Sequence, residues 1–355
     1  MAKKRIFDLP ETRGTFHVIG QATRLNSDKS FNSGTTKNGK VYSTINFGVK
    51  YNEVDAPVSM QLTGYVNNEV YFWSSKEKQT KRIPWDERYN FKEDGYVMMG
   101  KFLSLEKDSS GKAVKPTVCP DYDAVNEIHD KLNDEDFVYI AGELNYRPYT
   151  NKDGEKRTSI SLIPGRVYLQ NDGYTWDSIS EDKVGCIFKQ RFVYTDVEQE
   201  KDENDKPTGC FLVHGYVVTY STIETITFIL ESRDVANNLK KKVKPYTAMD
   251  VYGLVKMKTS VEEVVVEDDG WGDQTFANKV SAPARRQFVI VRIDKDSFDS
   301  SEYSEKSIAD AIKLVKASQE VDKTYEAKQE NKEDSWSTDI GDDDDWGSDE
   351  DDLPF

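Results

Sequence analysis

The sequence predicts a mainly β protein with two small Greek-key barrels, short helices and a disordered acidic tail. Three observations support this fold class: apolar and polar residues alternate in many segments, one order of strands and a helix occurs twice, and the last stretch is acidic. Alternation with a period of two is typical of strands that bury one face. We expect the first barrel in residues 1–175, the second in residues 184–318 and the tail in residues 319–355.

Five strands and one helix are predicted in the first part. The helix follows the third strand at Asp121–Asn133, where Val125 and Ile128 recur at helical spacing and Asp121 is the expected N-cap. After the third strand, the turn signal Asn67-Asn68 leads into a further extended segment, Glu69–Ser75. A polar and aromatic segment with several turn residues, roughly residues 76–120, then precedes the helix. The predicted strands are Thr15–Leu25, Lys40–Val54, Ser59–Val66, Phe137–Tyr149 and Lys156–Leu169.

The same order returns in the second part. Here the helix is predicted at Ser232–Lys244, because Val235, Leu239 and Val243 are four residues apart. A polar insert at residues 259–284 separates the last two strands, and an amphipathic helix is predicted after them, at Ser307–Ala317. The predicted strands are Cys186–Val197, Gly209–Tyr220, Glu224–Ser232, Ala248–Lys258 and Arg285–Ile293.

Five strands with a helix between the third and the fourth is the order of the OB-fold, a small Greek-key barrel. Because this order occurs twice, we predict two OB-like barrels. A single larger β-sandwich is the alternative, since the pairing of the strands is not visible in the sequence.

The composition indicates a protein of the cytoplasm, or of the host cytoplasm if the protein is viral. The three cysteines are few, odd in number and far apart, which argues against a disulfide framework and fits a reducing compartment. There is no apolar run of membrane-spanning length. The net charge is −16; the eleven carboxylates from Glu333 to the last residue account for most of it and leave −5 for residues 1–332. Any surface that binds an anion must therefore come from a local arrangement of charge.

A candidate surface for single-stranded nucleic acid lies in the first barrel. OB-folds bind oligonucleotides around strands 2 and 3, and such binding needs cations for phosphates and flat rings for bases. Tyr42 and Tyr65 fall on the polar faces of these two strands, whereas Phe72 is expected to be core. The candidate residues are Tyr42, Tyr65, Trp73, Lys81, Arg82, Trp85, Arg88, Arg147, Tyr149, Lys152 and Arg157. Some of these rings are expected simply to pack, because Tyr and Trp are common in sheets.

The second barrel offers a weaker signal for nucleic acid. Lys189 and Arg191 share a strand face, and Tyr216 and Tyr220 are aromatic. The basic run Lys240–Lys244 is expected to complement the C-terminus of its helix rather than to contact phosphate.

The acidic tail ends in the segment "DDLPF", formed by Asp351, Asp352, Leu353, Pro354 and Phe355. This segment resembles the C-terminal peptide of bacterial single-stranded DNA-binding proteins, in which an acidic run is closed by a short apolar tip. The whole chain, with two sets of strands, looks more like a bacteriophage-type single-stranded DNA-binding protein with such a tip.

The resemblance implies coating of single-stranded DNA in phage DNA replication, recombination and repair. It also implies recruitment of replication and repair proteins, such as a polymerase, helicase, primase or recombination protein, through the tip. Charge and chemistry agree with a docking role: the carboxylates steer the encounter, and Pro354 limits the conformations that docking freezes. The alternative is a replisome adaptor or scaffold that binds little DNA of its own.

The sequence does not predict an enzyme, a cofactor or a metal site. Lys92–Gly95 matches the Lys-x-Asp-Gly pattern of nucleotidyl-transferring ligases, but Val97 stands where that pattern continues with Arg, and no Glu-Gly dipeptide follows. We expect Asp94-Gly95 to form a turn. The three histidines and three cysteines have no paired metal-ligand spacing, and no Gly-rich phosphate loop is present.

Overall fold

The computed structural model describes residues 5–150, 156–202, 204–258, 261–263, 279–281 and 285–335. Within these ranges, side chains are described except at residues 150, 156–157, 258, 261–263, 279–281, 285 and 321–335. The strands are β1 (Gly14–Thr23), β2 (Phe31–Thr35), β3 (Val41–Lys50), β4 (Val58–Tyr65), β5 (Glu69–Ser74), β6 (Gln79–Pro84), β7 (Val97–Met98), β8 (Lys101–Ser104), β9 (Thr117–Cys119), β10 (Phe137–Thr150), β11 (Lys156–Leu169), β12 (Cys186–Lys201), β13 (Pro207–Val218), β14 (Ile223–Leu230), β15 (Ala248–Lys258), β16 (Val261–Glu263), β17 (Lys279–Ser281) and β18 (Arg285–Asp299). The helices are α1 (Asp121–Lys131), α2 (Arg233–Lys242) and α3 (Glu305–Ser335).

The second half of the chain forms a closed five-stranded barrel. Strand β12 pairs antiparallel with both β13 and β15, and β13 pairs antiparallel with β14. The ring closes because β18 pairs antiparallel with β15 and parallel with β14. This is the Greek-key order of an OB-fold, with α2 between the third and fourth strands. The prediction of OB-like barrels is confirmed, and the alternative of one β-sandwich is wrong.

The first half repeats this arrangement with an irregular closure. Strand β1 pairs with β3 and β10, β3 pairs with β4, and β10 pairs with β11. Instead of pairing with β4, β11 runs parallel to the short strand β8. Helix α1 packs its buried residues Ala124, Val125 and Ile128 into the barrel core. Its N-cap is Pro120, without a side-chain cap, so the predicted capping role of Asp121 is wrong.

The two barrels share one sheet and one core. Residues Gly14–Val18 of β1 pair antiparallel with Cys186–Gln190 of β12. Gly14 is required at this junction, because a Cβ there would lie 1.8 Å from the side-chain oxygen of the fully buried Gln190. Tyr146 Oη donates a hydrogen bond to the same oxygen (2.6 Å), so this tyrosine of β10 belongs to the core. The barrels therefore pack as one unit, with a continuous apolar cluster.

A small sheet projects from the first barrel: β5 matches the predicted extended segment Glu69–Ser75, whereas its pairing with β6 and β7 was not predicted. Strands β6, β5 and β7 form it, and Val70, Phe72, Tyr96 and Met98 bury their side chains beneath it. Phe72 is 5% exposed, which confirms its predicted place in a core. One face of this sheet is buried, and its opposite face is the outer surface of the segment between β4 and α1.

Helix α3 covers the end of the second barrel. Ile308, Ala311 and Val315 are buried at helical spacing and pack with Phe7 and Leu9 from the N-terminal segment. The helix continues past residue 318, where the sequence analysis placed the start of the tail, because Ala, Glu, Lys and Gln favour helix there. The predicted docking residues Asp351–Phe355 lie outside the described residues. No helix in the described part of the chain is long and apolar enough to cross a membrane.

Candidate nucleic-acid interface

The outer face of β3 and β4 carries a pair of tyrosines. Because alternate residues of a strand point to opposite faces, Ile45 and Leu62 are buried while Tyr42 and Tyr65 lie opposite each other on the outside. Their ring centroids are 6.2 Å apart and their planes are tilted by 47°. Tyr65 is 41% exposed, and Lys40 Nζ lies 5.2 Å from the centre of its ring. The pair therefore offers two aromatic rings next to a cation.

Polar side chains continue this face along the two strands. The next cross-strand pair is Thr44 and Thr63, whose hydroxyls are hydrogen-bonded at 2.9 Å, and the following pair is Asn46 and Gln61. Val41 has the same strand parity as the buried Ile45 but is 41% exposed, because it lies at the end of β3 beyond the core. Small polar groups beside aromatic rings suit a flexible chain of bases and phosphates.

The outer surface of the small sheet carries further exposed aromatic rings. Buried residues alternate with more accessible ones along β4 and again along β5. In both strands the exposed residues have odd numbers: Tyr65 is exposed in β4, and Tyr71 and Trp73 are exposed in β5. Tyr71 is 45% exposed and Trp73 is 41% exposed. Arg82 is exposed opposite Tyr71 and lies 6.0 Å from the centre of its ring. Tyr71 was not among the candidate residues, although it stands two positions before Trp73.

Arg88 and Trp85 contact each other and their neighbours instead of forming an open binding surface. We call the cluster of Trp85, Arg88, Tyr89 and Asp123 the clasp. The guanidinium of Arg88 lies 4.4 Å from the ring centre of Trp85 and 4.9 Å from that of Tyr89. It donates to Asp123 Oδ2 (2.7 Å) and to the Trp85 carbonyl (2.8 Å), and Trp85 also packs edge-on against Tyr122 of α1. The ion pair with Asp123 favours a structural role for Arg88, and its predicted contact with phosphate stays a prediction.

The clasp holds the β5–β6 hairpin against the start of α1. Tyr89 Oη donates to the same Asp123 oxygen (2.6 Å), and burial together with this carboxylate raises the pKa of Tyr89. Gly64 in β4 lets the helix approach, because a Cβ at this position would lie 2.1 Å from the Tyr122 nitrogen. The hairpin that presents Trp73 is therefore fixed relative to the barrel.

Lys81 is also engaged within the protein. Its ammonium forms an ion pair with Glu93 and lies 4.4 Å from the centre of the Tyr96 ring. The hydrogen bond with Glu93 raises the pKa of Lys81. The pair is exposed, so a phosphate can compete for Lys81, but only by displacing Glu93.

The remaining candidates lie on the β10–β11 hairpin. Arg147 and Tyr149 are exposed on one face of β10, and Tyr149 is 47% exposed. Thr158 of β11 donates to Glu224 of β14 (3.2 Å), so the hairpin contacts the second barrel. Lys152 and the side chain of Arg157 lie outside the described residues.

The corresponding face of the second barrel has a different character. On β13 and β14, Tyr216 lies opposite Thr225 and His214 lies opposite Thr227. The ring of His214 contacts Glu198 (3.1 Å), which adds a carboxylate to this face. Elsewhere in this barrel, Lys189 and Arg191 both pair with Asp250, at 2.8 and 3.3 Å. The described β13–β14 face therefore lacks a facing pair of rings like Tyr42 and Tyr65, although Lys189 Nζ and the Arg292 guanidinium lie 5.3 and 4.7 Å from the ring centre of Tyr252 elsewhere in this barrel.

Comparisons with known proteins identify the family of the chain. A family model described as YorF matches residues 18–333, so the chain belongs to the YorF family. No curated protein sequence matches it. Among solved structures, a deletion mutant of the single-stranded DNA binding protein from Thermus aquaticus aligns with a TM-score of 0.37 and 11% identity, over 80% of this chain and 94% of that chain. The wild-type protein from the same organism aligns with a TM-score of 0.35 and 9% identity, over 79% and 91%.

Proposed function

We propose that this protein binds single-stranded DNA on the outer face of its first barrel. The observation that carries the proposal is the set formed by the half-buried Tyr42 and the exposed Tyr65, Tyr71 and Trp73, accompanied by Lys40 and Arg82. Stacking of bases on rings is tolerant of sequence, because every base has a π-face, and cations beside the rings bind the phosphates. The proposed role is non-enzymatic: the protein coats and protects single strands during phage DNA replication, recombination and repair.

The acidic tail supplies a second activity in this proposal. Its carboxylates steer the segment Asp351–Phe355 toward basic surfaces of replication and repair proteins. A polyanion tethered to a DNA-binding face also competes with DNA at high effective concentration. The tail therefore both recruits partners and weakens DNA binding at low salt, where charges act over longer distances.

The direct test is the affinity of the full chain for a fluorescently labelled oligothymidylate, followed by anisotropy. Tyr65→Ala and Trp73→Ala are each expected to cost about 1–3 kcal/mol, which corresponds to a roughly 5- to 150-fold higher Kd. Tyr220→Ala is the matched control, because Tyr220 is 49% exposed but follows β13 in the second barrel. Unchanged affinity in both first-barrel variants would refute this binding face. Absence of any binding by the wild-type chain would favour the adaptor alternative.

A further inference from the structure

A cavity of about 260 Å³ lies on the same outer face, beyond the Asn46–Gln61 pair. Asn46 is four residues along β3 from Tyr42, so the cavity begins about 13 Å from the tyrosine pair at 3.3 Å per residue. Its lining includes three cations, Arg24, Lys29 and Arg286, and four serines, Ser27, Ser30, Ser59 and Ser161. None of the described residues that line it is a carboxylate. None of these cations or serines was selected from the sequence.

Arg286 is the floor of this cavity and comes from the other barrel. It reaches from β18 across the gap between β4 and β11, which do not pair with each other. Its Nη1 donates to the Ile160 carbonyl (2.7 Å) and its Nη2 to the Ser59 carbonyl (2.6 Å). These acceptors are neutral, so they satisfy hydrogen bonds without balancing the charge.

The positive charge of Arg286 has no counter-charge among the described residues. Burial lowers the pKa of its guanidinium, but an arginine stays protonated in a protein. Cys186 is the neighbouring ionisable group, and burial raises the pKa of its thiol to about 12, so this thiol is neutral. A charge held away from water and without a partner is costly. An anion in the cavity would remove this cost.

Two polar atoms at the cavity also lack hydrogen-bond partners among the described residues. They are Nε of Arg286 and Oγ of Ser30, and Ser30 is only 3% exposed. Buried polar groups are nearly always hydrogen-bonded, so each such atom calls for a ligand. Both atoms can donate to an oxygen of a phosphate.

The mouth of the cavity carries the two exposed cations. Arg24 has a φ of 67°, a left-handed conformation that is uncommon for residues other than glycine and is found at functional sites. In this conformation its Nη1 donates to Ser59 Oγ (3.1 Å) at the rim. Lys29 is exposed and also lines the cavity. Flexible cations at the entrance and a fixed guanidinium at the floor suit the capture of a phosphate group.

We propose that this cavity is a phosphate site that holds one backbone phosphate of the single strand lying along β3 and β4. The proposal rests on the proposed function and extends the DNA path from the tyrosine pair to the junction of the two barrels. It assigns to Arg286 a role beyond joining the barrels: it presents positive charge from the second barrel to DNA bound on the first.

The test uses the full chain and the double variant Arg24→Ala/Lys29→Ala, which leaves the partly buried Arg286 and its two carbonyl contacts unchanged. The matched control is Lys206→Ala/Arg233→Ala, which removes two exposed cations that do not line the cavity. Inorganic phosphate is titrated by calorimetry at constant ionic strength. Oligothymidylate affinity is measured over a range of salt concentrations, with a methylphosphonate-linked oligothymidylate, whose backbone is uncharged, as the second probe.

Phosphate is expected to bind the wild-type chain and the control, and to bind the cavity variant much more weakly. The salt dependence of oligothymidylate binding should flatten in the cavity variant by about 0.7 in log–log slope, the value for one phosphate of a single strand. The uncharged oligothymidylate should bind all three proteins equally. Equal phosphate binding by the variant, or none by the wild type, would overturn the site.

Two further outcomes separate the site from its proposed occupant. If the variant loses phosphate binding while its salt slope for oligothymidylate stays that of the wild type, the cavity binds free phosphate and the proposed DNA contact is wrong. If phosphate binds at Arg24 and Lys29 but the wild type binds no oligothymidylate, the proposed function itself fails, and the DNA contact fails with it.

Discussion

Replacing Arg88 with alanine distinguishes a structural role of this arginine from a phosphate contact. The substitution removes the partner of Asp123, whose side chain is 15% exposed, and takes the guanidinium from between the rings of Trp85 and Tyr89. We therefore expect Arg88→Ala to destabilise the protein while leaving the salt dependence of DNA binding nearly unchanged.

The size of the effect follows from these contacts. Breaking a buried ion pair costs about 3–5 kcal/mol, because it leaves an uncompensated charge. The Arg88 side chain is 20% exposed, so solvent screens part of this cost, and Tyr89 still donates to Asp123. The two cation–π contacts add about 0.5–1 kcal/mol each. We expect a net loss of about 2–4 kcal/mol in the free energy of unfolding.

The assay is urea unfolding of four proteins: wild type, Arg88→Ala, Asp123→Ala and the double variant. A coupling energy of about 1–2 kcal/mol between the two positions would measure the clasp directly. The control is Arg82→Ala, since Arg82 is exposed and has no ion pair among the described residues; it should change stability by less than about 0.5 kcal/mol. The reasoning would be refuted if Arg88→Ala left stability unchanged and flattened the salt slope of DNA binding by about 0.7.

The regular strands could be predicted from sequence because each of them buries one face. The segment Phe137–Tyr149, for example, becomes β10 with almost the same bounds. The pairing within the small sheet was not predicted because its strands are short, two residues in the case of β7, and alternation over so few residues is not distinctive. Its buried side chains form a core separate from that of the barrels.

The candidate site was predicted in part for the same reason. Alternation alone placed Tyr42 and Tyr65 outside, but it gives no information on which carboxylate lies near a cation. Asp123 follows Arg88 by 35 positions, and only the packing of α1 brings the two together. Arg286 and Ser59 are 227 positions apart, so their contact depends on how the barrels join.

The shared sheet connects this junction to the proposed function. Because β1 pairs with β12, the second barrel lies next to the start of β4, and Arg286 reaches the outer face of the first barrel. The second barrel has cations beside one ring, because Lys189 and Arg292 lie near Tyr252. The described residues of its β13–β14 face form no facing pair of rings, since Tyr216 lies opposite Thr225. Its contribution to DNA binding is therefore best understood as support for the first barrel, with one guanidinium added at the edge of the binding face.

Three further outcomes are expected. Arg82→Ala and Arg147→Ala should each flatten the log–log salt dependence of oligothymidylate affinity by about 0.7 where the residue contacts a phosphate, and a wild-type affinity that does not change with salt would contradict electrostatic binding. Phe355→Ala should abolish pull-down of replication proteins, if its ring is the anchor of a small interface, and leave oligothymidylate affinity unchanged, since every carboxylate is kept; full recruitment by this variant would show that the ring is dispensable. Glu224→Gln should stabilise the protein at neutral pH. Glu224 is 6% exposed, and burial raises its pKa above the ordinary 4.5, against the opposing effect of hydrogen bonds from Thr222 and Thr158. A raised pKa means that its stabilising contribution is complete below pH 4.5 and is lost as the pH rises through the pKa of the folded state. The glutamine variant has no proton to lose there, so the two unfolding free energies should agree in acid and diverge toward neutral pH; parallel pH profiles would show that Glu224 is buried without cost.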